Sequence, residues 1–316
     1  MAYDIAFTNG VVKSRERYLL GDKIERMADS GADEILKILK DSGFGGDIAA
    51  TTLQDAEALI RAEERAVNEF IKEYAPDKRT AAFLLADYDF HNAEALVKCK
   101  WAGADKSKLL SCEGAFAISE IEAATDGREN DLPEILTQTI KDVADTFEKG
   151  TANGFTVDCA FKRALFAYKR SVAKDKKLKQ ILCDAADAAN VSSAFRSRDF
   201  SLAEQMLVEG GKLPLSQIKA LCEMSLEQIE GGDFSPEIKR AAEKALSGKP
   251  LTELEKLTAD YPIELLNRTR YDMIGKEPFL LYVLKRRAEI ANVRIITVSV
   301  SAGIDGSRIK EKLRSY

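Results

Sequence analysis

Apolar residues at Leu53, Ala56, Leu59, Ile60, Ala66, Val67, Phe70, Ile71 and Tyr74 recur at helical spacing, the stripe of an amphipathic helix that turns one face to a core. The stripe is broken once, where Glu63 stands in an apolar place. Thr51 or Thr52 offers a side-chain oxygen to the free N–H groups at the start, and Pro76 cannot continue the helix at its end. The same pattern predicts helices over 11–27, 32–42, 79–99, 132–148, 157–172 and 176–197. Later starts are marked by Ser216, by Ser235 followed by Pro236, and by Pro278. Breaks rich in glycine at 43–46, 103–105, 150–154, 210–214 and 231–235 separate these elements. Residues 294–300, Arg-Ile-Ile-Thr-Val-Ser-Val, suit a strand by propensity. No comparable second run exists to pair with it, and a lone strand leaves its main-chain groups unsatisfied, so a helix is predicted here too and the fold class is all-α.

Within the helical pattern three segments align: Ala86-Asp-Tyr-Asp-Phe-His-Asn92, Asp184-Ala-Ala-Asp-Ala-Ala-Asn190 and Arg286-Arg-Ala-Glu-Ile-Ala-Asn292. Each ends in an acid, two residues and an Asn. The pairs are Asp89 with Asn92, Asp187 with Asn190 and Glu289 with Asn292, about 100 residues apart, too long a period for a solenoid unit. Glu264-Leu-Leu-Asn267 also fits the short pattern, so the pairs gain meaning only from their spacing and flanks. They predict three related helical domains at 1–115, 116–218 and 219–316. Asn inside a helix competes for main-chain groups, so each is expected to bond a neighbouring segment.

Composition removes several function classes. A net charge of −5 argues against nucleic acid, whose binding needs a basic face. The charge is uneven, with eight basic against three acidic residues in 278–316, which suits docking to a partner of opposite charge or to lipid head groups, with Lys285, Arg286, Arg287 and Arg294 as the candidate contacts, or, equally, is a surface accident. Five scattered cysteines without CxxC spacing suit a reducing cytoplasm. The start of the chain does not read as a signal peptide, and the longest charge-free run, 295–304, is far short of a membrane span. His91 is the one histidine, and Asp87, Asp89 and His91 alternate in a way that puts them on different sides of a helix. Asp184 and Asp187 share a face, leaving a helical enzyme that binds Mg²⁺-diphosphate as the alternative with chemistry. Neither segment has doubled acids, and no glycine-rich loop is followed by GK[ST]. No catalytic residue, metal site or cofactor is expected.

The chain resembles the C-type subunits of archaeal/vacuolar ATPases, relatives of the d-type subunit of the eukaryotic V-ATPase. The carriers are Val12-Lys-Ser-Arg-Glu-Arg-Tyr-Leu-Leu20, Tyr88-Asp-Phe-His-Asn92, Ala189-Asn-Val-Ser-Ser-Ala-Phe-Arg-Ser-Arg198, Leu207-Val-Glu-Gly-Gly-Lys-Leu213 and the long segment 277–296. His91 and the Ala93-Glu94-Ala95 that follows Asn92 depart from the pattern. The resemblance implies three similar domains in a funnel with pseudo-threefold symmetry, on the cytoplasmic face of the membrane. It also implies a non-catalytic rotor part joining the D and F proteins of the central stalk to the proteolipid ring. A generic helical scaffold is the bland alternative.

Overall fold

The structure, a computed structural model, describes residues 4–234, 236–246, 252–268 and 274–314. In chain order the helices are α1 (Ile5–Arg15), α2 (Lys23–Ala28), α3 (Ala32–Asp41), α4 (Ala56–Tyr74), α5 (Lys78–Ala102), α6 (Ile118–Thr125), α7 (Glu134–Glu148) and α8 (Gly154–Val172). They continue as α9 (Lys176–Ser197), α10 (Phe200–Met206), α11 (Leu215–Glu223), α12 (Leu226–Gly231), α13 (Pro236–Leu246), α14 (Thr252–Asn267), α15 (Glu277–Ser301) and α16 (Gly306–Lys312). Short 3₁₀ turns lie at Glu16–Tyr18, Leu53–Asp55 and Lys106–Lys108, and no strand occurs among the described residues. The protein is all-α.

Local chemistry fixes many of the boundaries. Ahead of α4 the Asp55 carboxylate accepts the N–H groups of Thr51 (2.9 Å) and Thr52 (2.8 Å). At α8 the Asn153 side chain accepts from Thr156 N–H at 2.9 Å while the Thr156 hydroxyl accepts from Asn153 N–H at 3.0 Å, a reciprocal cap. Asp175 starts α9 by accepting from Leu178 N–H at 2.9 Å. Ser235, expected as a helix start, lies outside the described residues. The start expected at Ser216 falls at Leu215, and α6 has no counterpart among the helices expected from periodicity. The expected helix 11–27 is broken instead. It becomes α1, a 3₁₀ turn, an extended Leu19 and a left-handed Gly21 at φ +55° before α2, because the N–H groups of Leu20 and Gly21 are drawn to Glu289.

The chain forms two compact units, one of residues 1–78 with 256–316 and one of 79–255. In the first, α4 packs along α15: the Phe70 ring stacks on Phe279 at 5.7 Å between centroids and meets Tyr282 edge-on at 5.1 Å. The β-branched run lies inside α15, with Val293 and Ile296 buried. Helix propensity costs such residues a few tenths of a kcal/mol each, whereas burying one contributes about 1.5–3 kcal/mol, so packing decides. The second unit holds two separate apolar clusters. One gathers Phe90, Leu136, Ile140 and Phe161 from α5, α7 and α8; the other gathers Val191, Phe195, Leu221 and Ile229 from α9, α11 and α12.

Candidate functional site

On α5 the two residues singled out by their spacing face one loop. The Asp89 carboxylate accepts the N–H groups of Ala115 (3.0 Å) and Phe116 (3.2 Å). Asn92 accepts from Ser111 N–H at 2.8 Å and donates to Cys112 C=O at 3.1 Å. On α9 the pattern recurs: Asp187 accepts from Lys212 (3.0 Å) and Leu213 (2.9 Å), and Asn190 both accepts from and donates to the main chain of Val208, each at 2.9 Å. On α15, Glu289 accepts from Leu20 (2.5 Å) and Gly21 (3.3 Å), and Asn292 accepts from Arg314 N–H at 2.7 Å and donates to its C=O at 3.0 Å. A separation of three places both side chains on one helix face. Each pair supplies main-chain partners to a segment with no ladder of its own, which offsets the poor helix propensity of Asn.

Sequence reasoning missed what serves these acids. A Cβ on Gly114 would stand 2.3 Å from Asp89 Oδ1, and one on Gly211 would stand 2.1 Å from Asp187 Oδ1, so both loops need glycine for close approach. At the third pair the donors to the acid come from 268 and 269 positions earlier in the chain, a partnership that local pattern cannot announce.

The third pair is also part of a buried ionic network. Arg286 Nη1 donates to Glu289 Oε2 at 2.8 Å, and Nη2 donates to Glu63, whose other oxygen accepts from Gly45 N–H at 2.8 Å. The Glu63 that broke the apolar stripe of α4 therefore has a buried cation opposite it. Burial pushes the Glu289 carboxyl up from its ordinary value, against the opposing pull of Arg286 and the two N–H donors. Burial works to lower the Arg286 guanidinium, but Glu63 and Glu289 outweigh it and hold the group above its usual range.

This placement corrects one expectation about the basic segment. Arg286 is 8 % exposed and committed to two carboxylates of its own chain, so it is a packing residue and not a docking one. Arg294 is held by Glu57 at 3.0 Å and Glu64 at 3.2 Å, and Lys285 and Arg287 are half-buried. The positive excess of 278–316 is thus partly neutralised within the chain.

The residues weighed for chemistry are dispersed. Asp87 pairs with Lys169 at 2.6 Å, Asp89 turns to its loop, and His91 Nε2 faces Leu109 C=O at 3.1 Å. Asp184 lies 3.7 Å from Lys212, and Asp187 is engaged by the main-chain N–H groups of Lys212 and Leu213. Among the described residues no group of three or more His, Cys, Asp or Glu is placed to hold a metal, and no helix is long and apolar enough to cross a membrane.

Comparison with known proteins gives this arrangement its context. The family model described as ATP synthase (C/AC39) subunit matches residues 8–312. The chain is 21% identical over 321 residues to the C-type subunit of the V-type sodium ATPase of Enterococcus hirae, covering 97% of both chains. It is 23% identical to the C-type subunit of the A-type ATP synthase of Desulfurococcus and 22% identical to that of Thermococcus kodakarensis, in each case over 97% of this chain and 89% of the relative. With all three acid–Asn pairs and α15 inside the matched span, the chain belongs to the ATP synthase (C/AC39) subunit family and is a non-catalytic subunit of a V/A-type ATPase.

Proposed function

We propose that this protein joins the central stalk, through the stalk's D and F proteins, to the membrane proteolipid ring, and carries torque between them during ion transport coupled to ATP synthesis or hydrolysis. The observation that carries the reading is the family match across 8–312. The bonding pattern supports it. A torque-bearing part must resist shear between its helices and loops, and at α5 and α9 an acid–Asn pair ties one loop down by four hydrogen bonds, while at α15 the pair gives two bonds to the segment of Leu20 and Gly21 and two to Arg314. At roughly 1 kcal/mol net per bond, the four bonds of each pair contribute a few kcal/mol.

The proposal includes three related helical domains in a pseudo-threefold funnel, each built around its own pair, with Asp89, Asn92, Asp187, Asn190, Glu289 and Asn292 as equivalent positions. Two apolar clusters in the second unit and a third core in the first support that count. They favour boundaries near the starts of α5 and α9 over those expected at 115 and 218, with the third domain drawing on both ends of the chain. The place of action is the cytoplasmic face of the membrane, peripheral to it. The test is capture by the purified, folded chain: both a D/F complex and detergent-solubilised ring should be retained in separate experiments, and failure to retain either sinks the reading.

A further inference from the structure

We propose that a cation-lined cavity in the first unit, between the 3₁₀ turn after α1, the end of α3 and α4, binds an acidic peptide segment of a partner protein. The cavity has a volume of about 440 Å³, within the range that holds small ligands. Its rim carries Arg15, Arg17 and Lys23, and its inner wall includes Tyr282, Glu63 and Arg286.

The three rim cations are held in place by neutral groups. The Arg15 guanidinium lies 5.1 Å from the Phe70 ring centroid and 5.8 Å from that of Tyr74. Arg17 donates to Tyr18 Oη at 2.7 Å and stands 4.7 Å over its ring. Lys23 donates to Ser42 Oγ at 3.0 Å. Among the described residues none of the three is in an ion pair, whereas nearby Lys13, Arg26 and Arg286 each have a carboxylate partner. Cations fixed by rings and hydroxyls keep their charge available and lose little freedom when an anion arrives. Two acids line the same space. Glu63 is already engaged through both oxygens, which leaves exposed Asp41 as one rim acid against three rim cations.

The groove points to a peptide over a single small anion. A second concavity of about 480 Å³ shares Lys23, Asp41 and Ser42 with the first and adds Lys37 beside Arg26 and Glu34, which neutralise each other in an ion pair at 2.5 Å, so Lys37, in no ion pair among the described residues, extends the lining past the length of one phosphate. The partner is taken to be a protein because the chain is one subunit among several; this does not depend on which of them flank it. General attraction does not account for such binding, since the whole chain carries −5.

The test uses the full chain with labelled hexaglutamate, hexaglutamine and inorganic phosphate as probes in low salt. Hexaglutamate is expected to bind one-to-one and to weaken about ten-fold or more in Arg15→Gln/Arg17→Gln/Lys23→Gln. It should be unaffected by the same charge loss placed at Lys174, Lys176 and Lys179, and hexaglutamine should not bind. If the triple variant shifts the thermal melt, Arg17→Gln/Lys23→Gln, both exposed, is read instead, with weakening of about three-fold or more. Absence of saturable hexaglutamate binding, or equal loss from the remote lysine variant, overturns the site. Phosphate saturating as tightly as hexaglutamate overturns the peptide assignment in favour of a small anion. Because these probes contain neither stalk nor ring, failure here leaves the joining role standing, and failure to capture stalk or ring leaves this site standing.

Discussion

Asn190→Ala isolates one clamp. Asn190 is 5% exposed and Val208, whose N–H and C=O it satisfies, is 4% exposed. Alanine therefore leaves two main-chain groups without partners in a place that water does not reach. Each orphaned group costs about 1–3 kcal/mol, and alanine regains roughly 0.6 kcal/mol of helix propensity, for a net loss of about 1.5–5 kcal/mol. At the other two pairs the freed groups belong to half-buried Ser111 and Cys112 and to exposed Arg314, where solvent can take over. The loss should thus be largest for Asn190→Ala, smaller for Asn92→Ala and smallest for Asn292→Ala. Urea denaturation gives the totals, and hydrogen exchange of the Val208 amide reports the site directly. Asn190→Asp sharpens the test, since the carboxylate still accepts from Val208 N–H but can face Val208 C=O favourably only when protonated. Its folded pKa is then raised, so the variant is more stable at low pH and loses that stability as pH rises through the raised value. A cost for Asn190→Ala below about 0.5 kcal/mol, within the range of an ordinary surface change, or a larger cost at Asn292, would refute the reasoning.

Arg286→Met should destabilise by about 3–5 kcal/mol, because Glu63 and Glu289 are left buried without their cation, while Lys285→Gln should stay within about 0.5 kcal/mol in the same denaturant titration. Gly211→Ala should cost about 1–3 kcal/mol and raise exchange at the Lys212 and Leu213 amides, since its Cβ would meet Asp187 Oδ1; unchanged exchange would show that the close approach is not required. Carboxyl titration by NMR should show two carboxyls shifted in opposite directions. Asp199 is lowered by the Ser201 hydroxyl and the N–H groups of Ser201 and Leu202, so its contribution is present above the ordinary aspartate value and is lost as pH falls through the folded one. Glu289, raised by burial, binds its proton more readily folded than unfolded, so stability falls as pH rises from the ordinary glutamate value through the raised one. A Glu289 that titrates below an ordinary glutamate would mean that its donors outweigh burial.

Much of the architecture was legible because helix signals are local. The apolar stripe of α4 and the Pro76 beyond its end are such signals, and the helices expected from periodicity lie close to α3, α4, α7, α8 and α9 of the structure. The acid–Asn pairs were legible as positions, since i and i+3 share a face whatever the fold. What the pairs hold was not legible: donors to Glu289 lie 268 and 269 residues away, and the periodicity of 11–27 gave no sign that Leu20 and Gly21 would leave a helix to supply them. The docking expectation for Arg286 failed for a similar reason. A count of charges treats every arginine as solvated, while the one local clue, an acid in an apolar place at Glu63, points to a buried partner without saying which cation it is.

The central claim is that this chain joins two bodies that do not hold each other without it. The direct measurement is comigration of the detergent-solubilised proteolipid ring with the D/F stalk complex, followed by native mass spectrometry, with and without the purified chain. The account predicts separate ring and D/F species in its absence and one assembly containing all three when it is added. Ring and D/F that associate equally well without the chain, or a folded chain that enters a complex with only one of them, would contradict it.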